Sequence, residues 1–260
     1  MRSGAGPAPD GAWAGGKVLD PNGFGHAIRQ LVARTEITST RALVAVSDAI
    51  ATFRVLDFPP KASDQEIGAA VAKALALDPE RIATRWVEVA GEDDRRVVYA
   101  AAWERTTVQG ITEAVRAAGL DPIAMELKSA AVARTVSEPS CVVLDLESAP
   151  AEIVLVDGGV PRQWHAFEVA STQGTDMPKA LAGPLRSVIR FHRRNRSSTF
   201  GPTSPVLIST EQALPQQTVF ALQDLVGQPV RMNGLPARVP PNVRHATYLT
   251  CLGLIMRRDS

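Results

Sequence analysis

Three consecutive apolar strands are predicted for residues 141–169, and they constrain the fold more than any other part of the chain. The sequence there is CVVLDLESAPAEIVLVDGGVPRQWHAFEVA. An acidic turn separates the first two apolar runs, and Asp157-Gly158-Gly159 separates the last two. Two glycines after an aspartate favour a two-residue hairpin turn, because glycine adopts positive φ without steric cost. The segment therefore predicts three sequential strands joined by tight turns.

Helices and strands alternate after this segment. The pattern predicts a long helix over 177–194, a strand at 206–208, a helix over 215–226, a strand at 229–232 and a last helix over 243–256. The resulting order, three strands followed by helix, strand and helix, is typical of one half of a ribonuclease-H-like domain. The fold class expected from the sequence is therefore α/β.

The part of the chain before residue 141 has a different pattern. Asp20-Pro21 is a helix start, with the aspartate as N-cap. Ser63 and Glu66 form a capping box for a helix that extends to about Leu77. Strands are predicted at 42–46, 51–56, 83–89, 96–103 and 120–125, with a reversal at 91–94 and a helix over 107–118. Residues 51–125 thus follow the order strand, helix, strand, strand, helix, strand, which indicates a compact α+β unit.

Composition excludes several classes of protein. The 260 residues carry 28 basic and 27 acidic side chains, so no overall field favours nucleic acid or acidic lipid. No apolar run approaches the roughly 20 residues needed to span a bilayer. Residues 1–16, rich in Gly, Pro and Ala, are interpreted as a disordered leader. The four histidines share no metal-ligand spacing, so no metal site is expected. These features favour a cytoplasmic protein.

Three stretches of the sequence resemble the PilM-type type IV pilus assembly proteins, which are relatives of the cell-division protein FtsA. The first is GGKVLDPNGFGHAIRQLV with RALVAVSDAIATFRVLDFPP, and the second is RRVVYAAAWERTTVQGITEAVRAAGLDPIAMELKSAAVAR. The third is LDLESAPAEIVLVDGGVPR with SVIRFHRR and the final YLTCLGLIMR. The resemblance covers most of residues 15–258 in collinear order, and it is an argument from analogy.

This resemblance implies an actin-like fold with an incomplete first lobe. The remnant of that lobe would comprise 17–50 and 122–140, an inserted small α+β subdomain 51–121, and a fuller second lobe 141–260. It also implies a non-catalytic cytoplasmic scaffold at the inner membrane, which binds the N-terminal cytoplasmic segment of a PilN-like membrane protein. Pilus motor ATPases are a further candidate partner, and contact with the membrane would be indirect.

The nucleotide motifs of the resembled family are altered in this chain. Where an Asp-x-Gly turn would receive phosphates, Asp145 is present but Glu147 replaces the glycine. Where a T-G-G turn would hold adenosine, the sequence has Ser209, Thr210 and Glu211. The first phosphate loop is not recognisable before Ala12. Glycine lets the backbone approach a phosphate closely, whereas a glutamate adds bulk and negative charge. We therefore expect neither ATP nor another cofactor, and no enzymatic activity.

Two alternatives to the pilus scaffold stay open at this stage. The chain could be a divergent ATPase whose first phosphate loop is missing by truncation. It could also be the cytoplasmic domain of a type II secretion platform protein. An FtsA-like filament protein is less favoured, because no amphipathic membrane helix follows the last predicted helix.

Two surfaces are candidates for binding partners. Val55, Phe58, Pro59 and Pro60 end a predicted strand with apolar side chains, so an extended peptide could add as a strand or fill pockets there. The alternative is that Phe58 packs into the local core. The second candidate is the basic cluster of Arg186, Arg190, His192, Arg193, Arg194 and Arg196. For this cluster we favour the simpler explanation, a helix end whose cations complement its own dipole.

Overall fold

The computed structural model describes residues 2–75, 78–89, 95–169, 176–194, 198–234 and 244–257. The predicted reversal at 91–94 and the predicted end of a helix at Leu77 lie outside these residues. The chain forms two units, Met1–Lys128 and Ser129–Ser260, and each is described separately below. Within the described residues, no helix combines the length and the apolar character needed to cross a membrane.

The first unit begins with a small hairpin and a capped helix. Strands β1 (Trp13–Ala14) and β2 (Lys17–Val18) pair through a turn in which Gly15 and Gly16 both have positive φ. Helix α1 (Pro21–Arg34) follows, and the Asp20 carboxylate caps it by accepting from two backbone N–H groups. The Trp13 ring stacks on Phe24. The segment interpreted as a disordered leader therefore contributes a paired strand, because an aromatic contact and a glycine turn hold it in place.

Two sheets form the rest of the first unit. Strand β3 (Arg41–Val46) is followed by a short 3-10 helix (Asp48–Ile50) and strand β4 (Ala51–Phe58). Strands β5 (Ile82–Val89) and β6 (Arg96–Glu104) join β4 in an antiparallel sheet of order β4-β6-β5. Strand β7 (Asp121–Leu127) does not join that sheet but pairs with β3 in parallel. Helices α2 (Asp64–Leu75) and α3 (Arg105–Ala117) complete the unit.

The capping box predicted from the sequence is present at the start of α2. Ser63 donates to Glu66 through both its backbone N–H and its hydroxyl, at 2.7 and 2.8 Å from Oε2. The Glu66 N–H in turn donates to the Ser63 hydroxyl. These hydrogen bonds to the charged form lower the pKa of Glu66. The helix packs one face of the β4-β6-β5 sheet through Ile67, Val71 and Leu75.

The second unit is built on one five-stranded sheet. It comprises β8 (Cys141–Asp145), β9 (Ala151–Asp157), β10 (Val160–Phe167), β11 (Val206–Ser209) and β12 (Val230–Met232) in the order β10-β9-β8-β11-β12. The three sequential strands pair antiparallel, as the apolar pattern predicts, and β8, β11 and β12 run parallel. The helices of this unit are α4 (Lys128–Ala133), α5 (Met177–His192), α6 (Gln216–Val226) and α7 (Leu249–Ile255).

Helices cover both faces of this sheet. One face contributes Val142, Leu144 and Ile153 to a cluster that contains Leu181, Leu185 and Leu222 of α5 and α6. The opposite face contributes Cys141, Val143 and Val154 to a cluster with Val132, Ala133 and Leu249 of α4 and α7. Coverage on both sides explains why β8 and β9 are apolar at nearly every position instead of alternating. Helix α4, which the sequence assigned to the first lobe, packs here with the second unit because its side chains complete this cluster.

Helices α4 and α7 approach each other at backbone distance. Any Cβ added to Gly253 would overlap the carbonyl group of Ala131. The Arg134 Nε donates to the Gly253 carbonyl oxygen at 2.9 Å, and this hydrogen bond stabilises the close contact between the two helices. Only glycine at residue 253 therefore permits this separation of the two helices.

We expect Gly253→Ala to lower the stability of the protein by about 1–3 kcal/mol, because the two helices must move apart and lose packing. Thermal unfolding followed by circular dichroism measures the effect. The matched control is Gly183→Ala, an exposed position within α5 where an added Cβ meets nothing within 4 Å. This control should leave the melting temperature unchanged or raise it slightly, since alanine favours helix. Equal melting temperatures for the two variants would contradict the crossing described here.

Candidate functional site

The five positions that the sequence assigned to a degenerate nucleotide site lie together at one edge of the second unit's sheet. Strands β8 and β11 are parallel, and Asp145 is the register partner of Ser209 at their carboxyl ends. The turn after each strand therefore begins at the same edge, where ligands of α/β sheets commonly bind. Glu147 belongs to the first of these turns, and Thr210 and Glu211 to the second.

Asp145 uses its carboxylate to close its own turn. Its Oδ1 accepts from the Glu147 N–H at 3.0 Å, and its Oδ2 accepts from the Ser148 hydroxyl at 2.8 Å. The side chain is 4% exposed. An aspartate that binds the backbone two residues onward is an Asx-turn, which fixes the turn without any glycine. The replacement of glycine at 147 is thus compatible with a well-formed turn.

Glu147 joins the two turns. Its Oε1 accepts from the Thr210 hydroxyl at 3.0 Å and from the Glu211 N–H at 2.8 Å. A hydroxyl and a backbone N–H are the donors that an anion would use in such a turn. In this chain the carboxylate of Glu147 already accepts from both of them.

The side chain of Glu211 binds a third segment of the chain. Its Oε1 accepts from the Thr247 N–H at 3.0 Å, just before α7. Burial raises the pKa of Glu211, but the hydrogen bond from Thr247 and the neighbouring charges of His245 and Arg244 outweigh this and lower it. Asp145, Glu147 and Glu211 thus each bind a turn of the protein itself. The carboxylate of Glu147 occupies two donors of this edge and adds negative charge, which disfavours binding of a phosphate. The buried Ser209 hydroxyl has no hydrogen-bond partner among the residues that the structure describes.

The four predicted partner-binding residues do not share one surface. Phe58 is half-buried and packs against the cluster formed by α2 and the β4-β6-β5 sheet, which is the alternative left open by the sequence. Its side chain is held there because Phe58 lies on the same sheet face as Leu56. Pro59 and Pro60 are exposed just after β4. Val55 lies on the opposite face of the sheet from Phe58.

An apolar row crosses that opposite face. Val55 of β4 and Val87 of β5 are both register partners of Tyr99 on β6, so the three side chains stand side by side. The Phe53 ring lies 5.5 Å from the Tyr99 ring on the same face. Val87 is 54% exposed. Val87 is the exposed member of this row, whereas Phe53, Val55 and Tyr99 are half-buried and the Tyr99 hydroxyl is buried. We call these four residues the open sheet face; the sequence pattern of alternating residues in β4 pointed to it only through Val55.

A second polar site, absent from the sequence-based predictions, surrounds Asp157 at the end of β9. Its Oδ2 lies 2.7 Å from His192 Nε2 and accepts from the Ser198 hydroxyl at 2.9 Å. Its Oδ1 accepts from the Ser140 hydroxyl at 2.9 Å and from the Thr199 N–H at 3.1 Å, and the Thr199 hydroxyl binds it as well. We call these five residues the Asp157 cluster.

The Asp157 cluster holds a charged carboxylate inside the protein. Asp157 and His192 are each 3% exposed. Burial by itself raises the pKa of Asp157, but the hydrogen bonds from His192, Thr199, Ser140 and Ser198 lower it far below its ordinary range. The local sequence signal, an aspartate before two glycines, indicated only a turn.

The geometry of the Asp157 cluster differs from that of an activated serine. A nucleophilic serine requires a hydroxyl that donates to the histidine, while the carboxylate orients the ring from the other side. Here Ser198 and His192 bind the same Oδ2 atom of Asp157, so the serine is not activated. Among the described residues, no group of His, Cys, Asp and Glu side chains is arranged to hold a metal ion.

The basic cluster predicted from the sequence is divided by the structure. His192 is buried in the Asp157 cluster and therefore does not belong to the surface. Arg186, Arg190, Arg193 and Arg194 are exposed. Arg196 lies outside the described residues.

Solved structures similar to this chain support the fold. The sequence matches no protein-family model and no curated protein. A chain of the PilM–PilN type IV pilus biogenesis complex aligns with a TM-score of 0.69 and 20% identity, over 95% of this chain and 88% of the other. The cytoplasmic domain of EpsL, an inner membrane component of the type II secretion system of Vibrio cholerae, aligns with a TM-score of 0.51 and 11% identity, over 90% and 82%.

These similarities confirm the predicted fold class. The chain is α/β and has the actin-like fold of the PilM type. At identities of 20% and 11% the likeness is one of fold.

We expect the protein not to bind ATP, and Glu147→Gly not to restore binding. The substitution frees the Thr210 hydroxyl and the Glu211 N–H, but Glu211 still places a carboxylate in the second turn. Titration of a fluorescent ATP analogue with magnesium, followed by anisotropy, should show no saturation in the micromolar range for either protein. Saturable binding by the parent would contradict the first expectation, and a thermal shift with ATP in the variant alone would contradict the second.

We expect Asp157→Asn to destabilise the second unit by about 2–4 kcal/mol, because an amide presents a donor to groups that themselves donate. Denaturant unfolding measures the loss, with Asp224→Asn on the exposed face of α6 as the control.

The effect of Asp157→Asn should depend on pH in a defined direction. The folded-state pKa of Asp157 is depressed, so its stabilising contribution is complete above the ordinary pKa of about 3.9 and falls as the pH drops below that value. The difference in stability between parent and variant should therefore shrink from about pH 5 to about pH 3, which is about one unit on either side of that pKa. It should continue to shrink at lower pH, because the folded-state pKa lies well below the ordinary value. A constant difference across this range would show that the charge of Asp157 is not responsible.

Proposed function

We propose that this protein is a non-catalytic scaffold of a type IV pilus assembly platform, which binds the cytoplasmic N-terminal segment of a PilN-like membrane protein. The observation that carries this proposal is the similarity in fold to a chain of the PilM–PilN complex, which extends over 95% of the present chain. Similarity over nearly the whole length indicates that the arrangement of elements in both units is retained, not one motif alone.

The carboxylates at the edge of β8 and β11 favour a scaffold over an ATPase. Glu147 accepts the hydrogen bonds that a bound anion would need, and Asp145 and Glu211 add further negative charge. A divergent ATPase would have to displace an internal carboxylate before it could bind phosphate. We therefore propose that the fold is retained for binding another protein, and that ATP is not a cofactor.

The open sheet face is the surface that we propose for the partner segment. Val55, Tyr99 and Val87 form a continuous apolar row on the side of the sheet opposite α2. Strand β4 is also at the edge of its three-stranded sheet, so its backbone can pair with an added strand. An extended peptide could then bind by backbone hydrogen bonds while its side chains contact the row. Phe58 supports this surface from the core side instead of contacting the peptide.

Location follows from the same proposal. The protein would be cytoplasmic and peripheral to the inner membrane, where its membrane-anchored partner holds it. Pilus motor ATPases remain a further candidate partner.

A second candidate function is favoured by one observation. The cytoplasmic domain of EpsL shares the fold with a TM-score of 0.51, so a role in a type II secretion platform is also consistent with the architecture. The genes next to this one distinguish the two functions: genes for PilN-like and PilO-like proteins favour the pilus platform, and genes for secretion components favour the second.

We expect Val87→Glu to weaken binding of the partner segment at least about tenfold, or 1.4 kcal/mol, because it places a charge in the apolar row. Calorimetry with a peptide of the neighbouring PilN-like protein's N-terminal segment measures the affinity. The control is Ile255→Glu, which introduces the same charge at an exposed apolar position of the second unit.

Phe58→Ala distinguishes a core role of Phe58 from direct contact between Phe58 and the partner peptide. If Phe58 belongs to the core, a folded variant should be less stable but should bind the peptide as the parent does. Absence of binding to the parent would overturn the scaffold proposal, and equal binding by Val87→Glu would exclude the open sheet face.

A further inference from the structure

A stripe of cations runs along the exposed side of α5. Lys179, Arg186, Arg190 and Arg193 follow one another at spacings of seven, four and three residues, which place them on one side of a helix. Arg194 lies beside the last of them. All five side chains are exposed. We call these five residues the basic stripe; with a rise of 1.5 Å per residue, its first four members extend over about 20 Å.

The dipole of α5 does not account for the basic stripe. A helix dipole favours cations only in the last turn, and this explains Arg190, Arg193 and Arg194. Lys179 is in the first turn, where the dipole disfavours a cation, and Arg186 is in the middle of the helix. The charge at these two positions needs another explanation.

The basic stripe is also not neutralised by the part of the protein that the structure describes. There, no carboxylate forms an ion pair with any of the five cations. The net charge of the whole chain is only +1, so the stripe is a local excess of positive charge. Such a stripe attracts opposite charge over about the 8 Å Debye length at physiological ionic strength, so a partner that it binds must lie at close range.

An exposed aromatic side chain adjoins the cations. Phe191 is 68% exposed, more than any other large apolar side chain among the described residues. It follows Arg190 directly and precedes the buried His192, so it projects beside the stripe. An anionic bilayer matches both features, because headgroup phosphates contact the cations while the aromatic ring enters the interface. A nucleic acid would match the charge, but stacking on bases favours aromatic rings between the cations rather than beside them.

We propose that the basic stripe and Phe191 form a binding surface for anionic phospholipid membranes. The protein would then contact the membrane itself, with α5 parallel to the bilayer surface. This differs from the expectation that membrane contact is only indirect. The proposal concerns the second unit and does not depend on the partner segment proposed above.

Sedimentation with lipid vesicles tests this surface. The full chain is mixed with vesicles of phosphatidylcholine alone or of phosphatidylcholine with phosphatidylglycerol, at low and at high salt. We expect binding to the anionic vesicles only, and weaker binding at high salt. Arg186→Gln with Arg190→Gln should weaken binding about tenfold or more. Lys61→Gln with Lys73→Gln, which removes two exposed cations from the first unit, should leave it unchanged.

Phe191→Ala provides a second measurement. It should reduce the binding that persists at high salt, since that part depends on apolar insertion. All variants change exposed side chains, and unfolding curves equal to those of the parent verify that they are folded.

Three results would overturn the proposal: no sedimentation of the parent with anionic vesicles, equal sedimentation with neutral vesicles, or equal affinity of the arginine variant and its control. Binding to single-stranded DNA without binding to vesicles would assign the stripe to nucleic acid and would likewise overturn it. The peptide calorimetry above contains no lipid, so failure of one proposal is distinguishable from failure of the other.

Discussion

The buried carboxylate of Asp157 is the interaction on which the architecture of the second unit depends. A charged group inside a protein is tolerated only when donors surround it, and here they come from Ser140, His192, Ser198 and Thr199. The four donors come from three parts of the unit: Ser140 precedes β8, His192 ends α5, and Ser198 and Thr199 lie in the segment that leads to β11. Because all of them must converge on one side chain, the cluster couples the position of α5 to the register of the sheet. Apolar packing alone would tolerate small sliding movements of the helix; the cluster does not.

The helices and strands of this fold are largely predictable from local sequence. Which strands pair and which side chains meet across the fold are not. The apolar runs gave the three strands at 141–169, and Ser63 with Glu66 gave a helix start that the structure reproduces. In contrast, the local pattern near residues 120–125 does not indicate that β7 pairs with β3, about 80 residues earlier in the chain, rather than with the neighbouring β6. Only the family resemblance grouped 122–140 with 17–50. His192 lies among arginines in the sequence and was interpreted as one more surface cation. Its contact with Asp157 joins positions 35 residues apart, and only the folded chain brings them together.

At the carboxyl-terminal edge of β8 and β11, too, the sequence did not reveal which groups a side chain contacts. The sequence indicated that Glu147 adds bulk and charge where a glycine would admit a phosphate. It did not indicate that the carboxylate itself occupies the hydrogen-bonding positions of Thr210 and Glu211. The distinction matters physically, since repulsion alone would leave unsatisfied donors in the second turn, and such donors are costly when water cannot reach them. The glutamate instead satisfies them, so the altered turns are stable together.

These hydrogen bonds between the two turns have a consequence for single substitutions. Thr210 is 7% exposed, and loss of its hydrogen bond to Glu147 would cost on the order of 1 kcal/mol out of the 5–15 kcal/mol that stabilise a typical domain. A glycine at position 147 would bear this cost at once, while Glu211 would still place a carboxylate in the second turn. The two turns are therefore coupled, so that neither can be altered alone without a loss of stability.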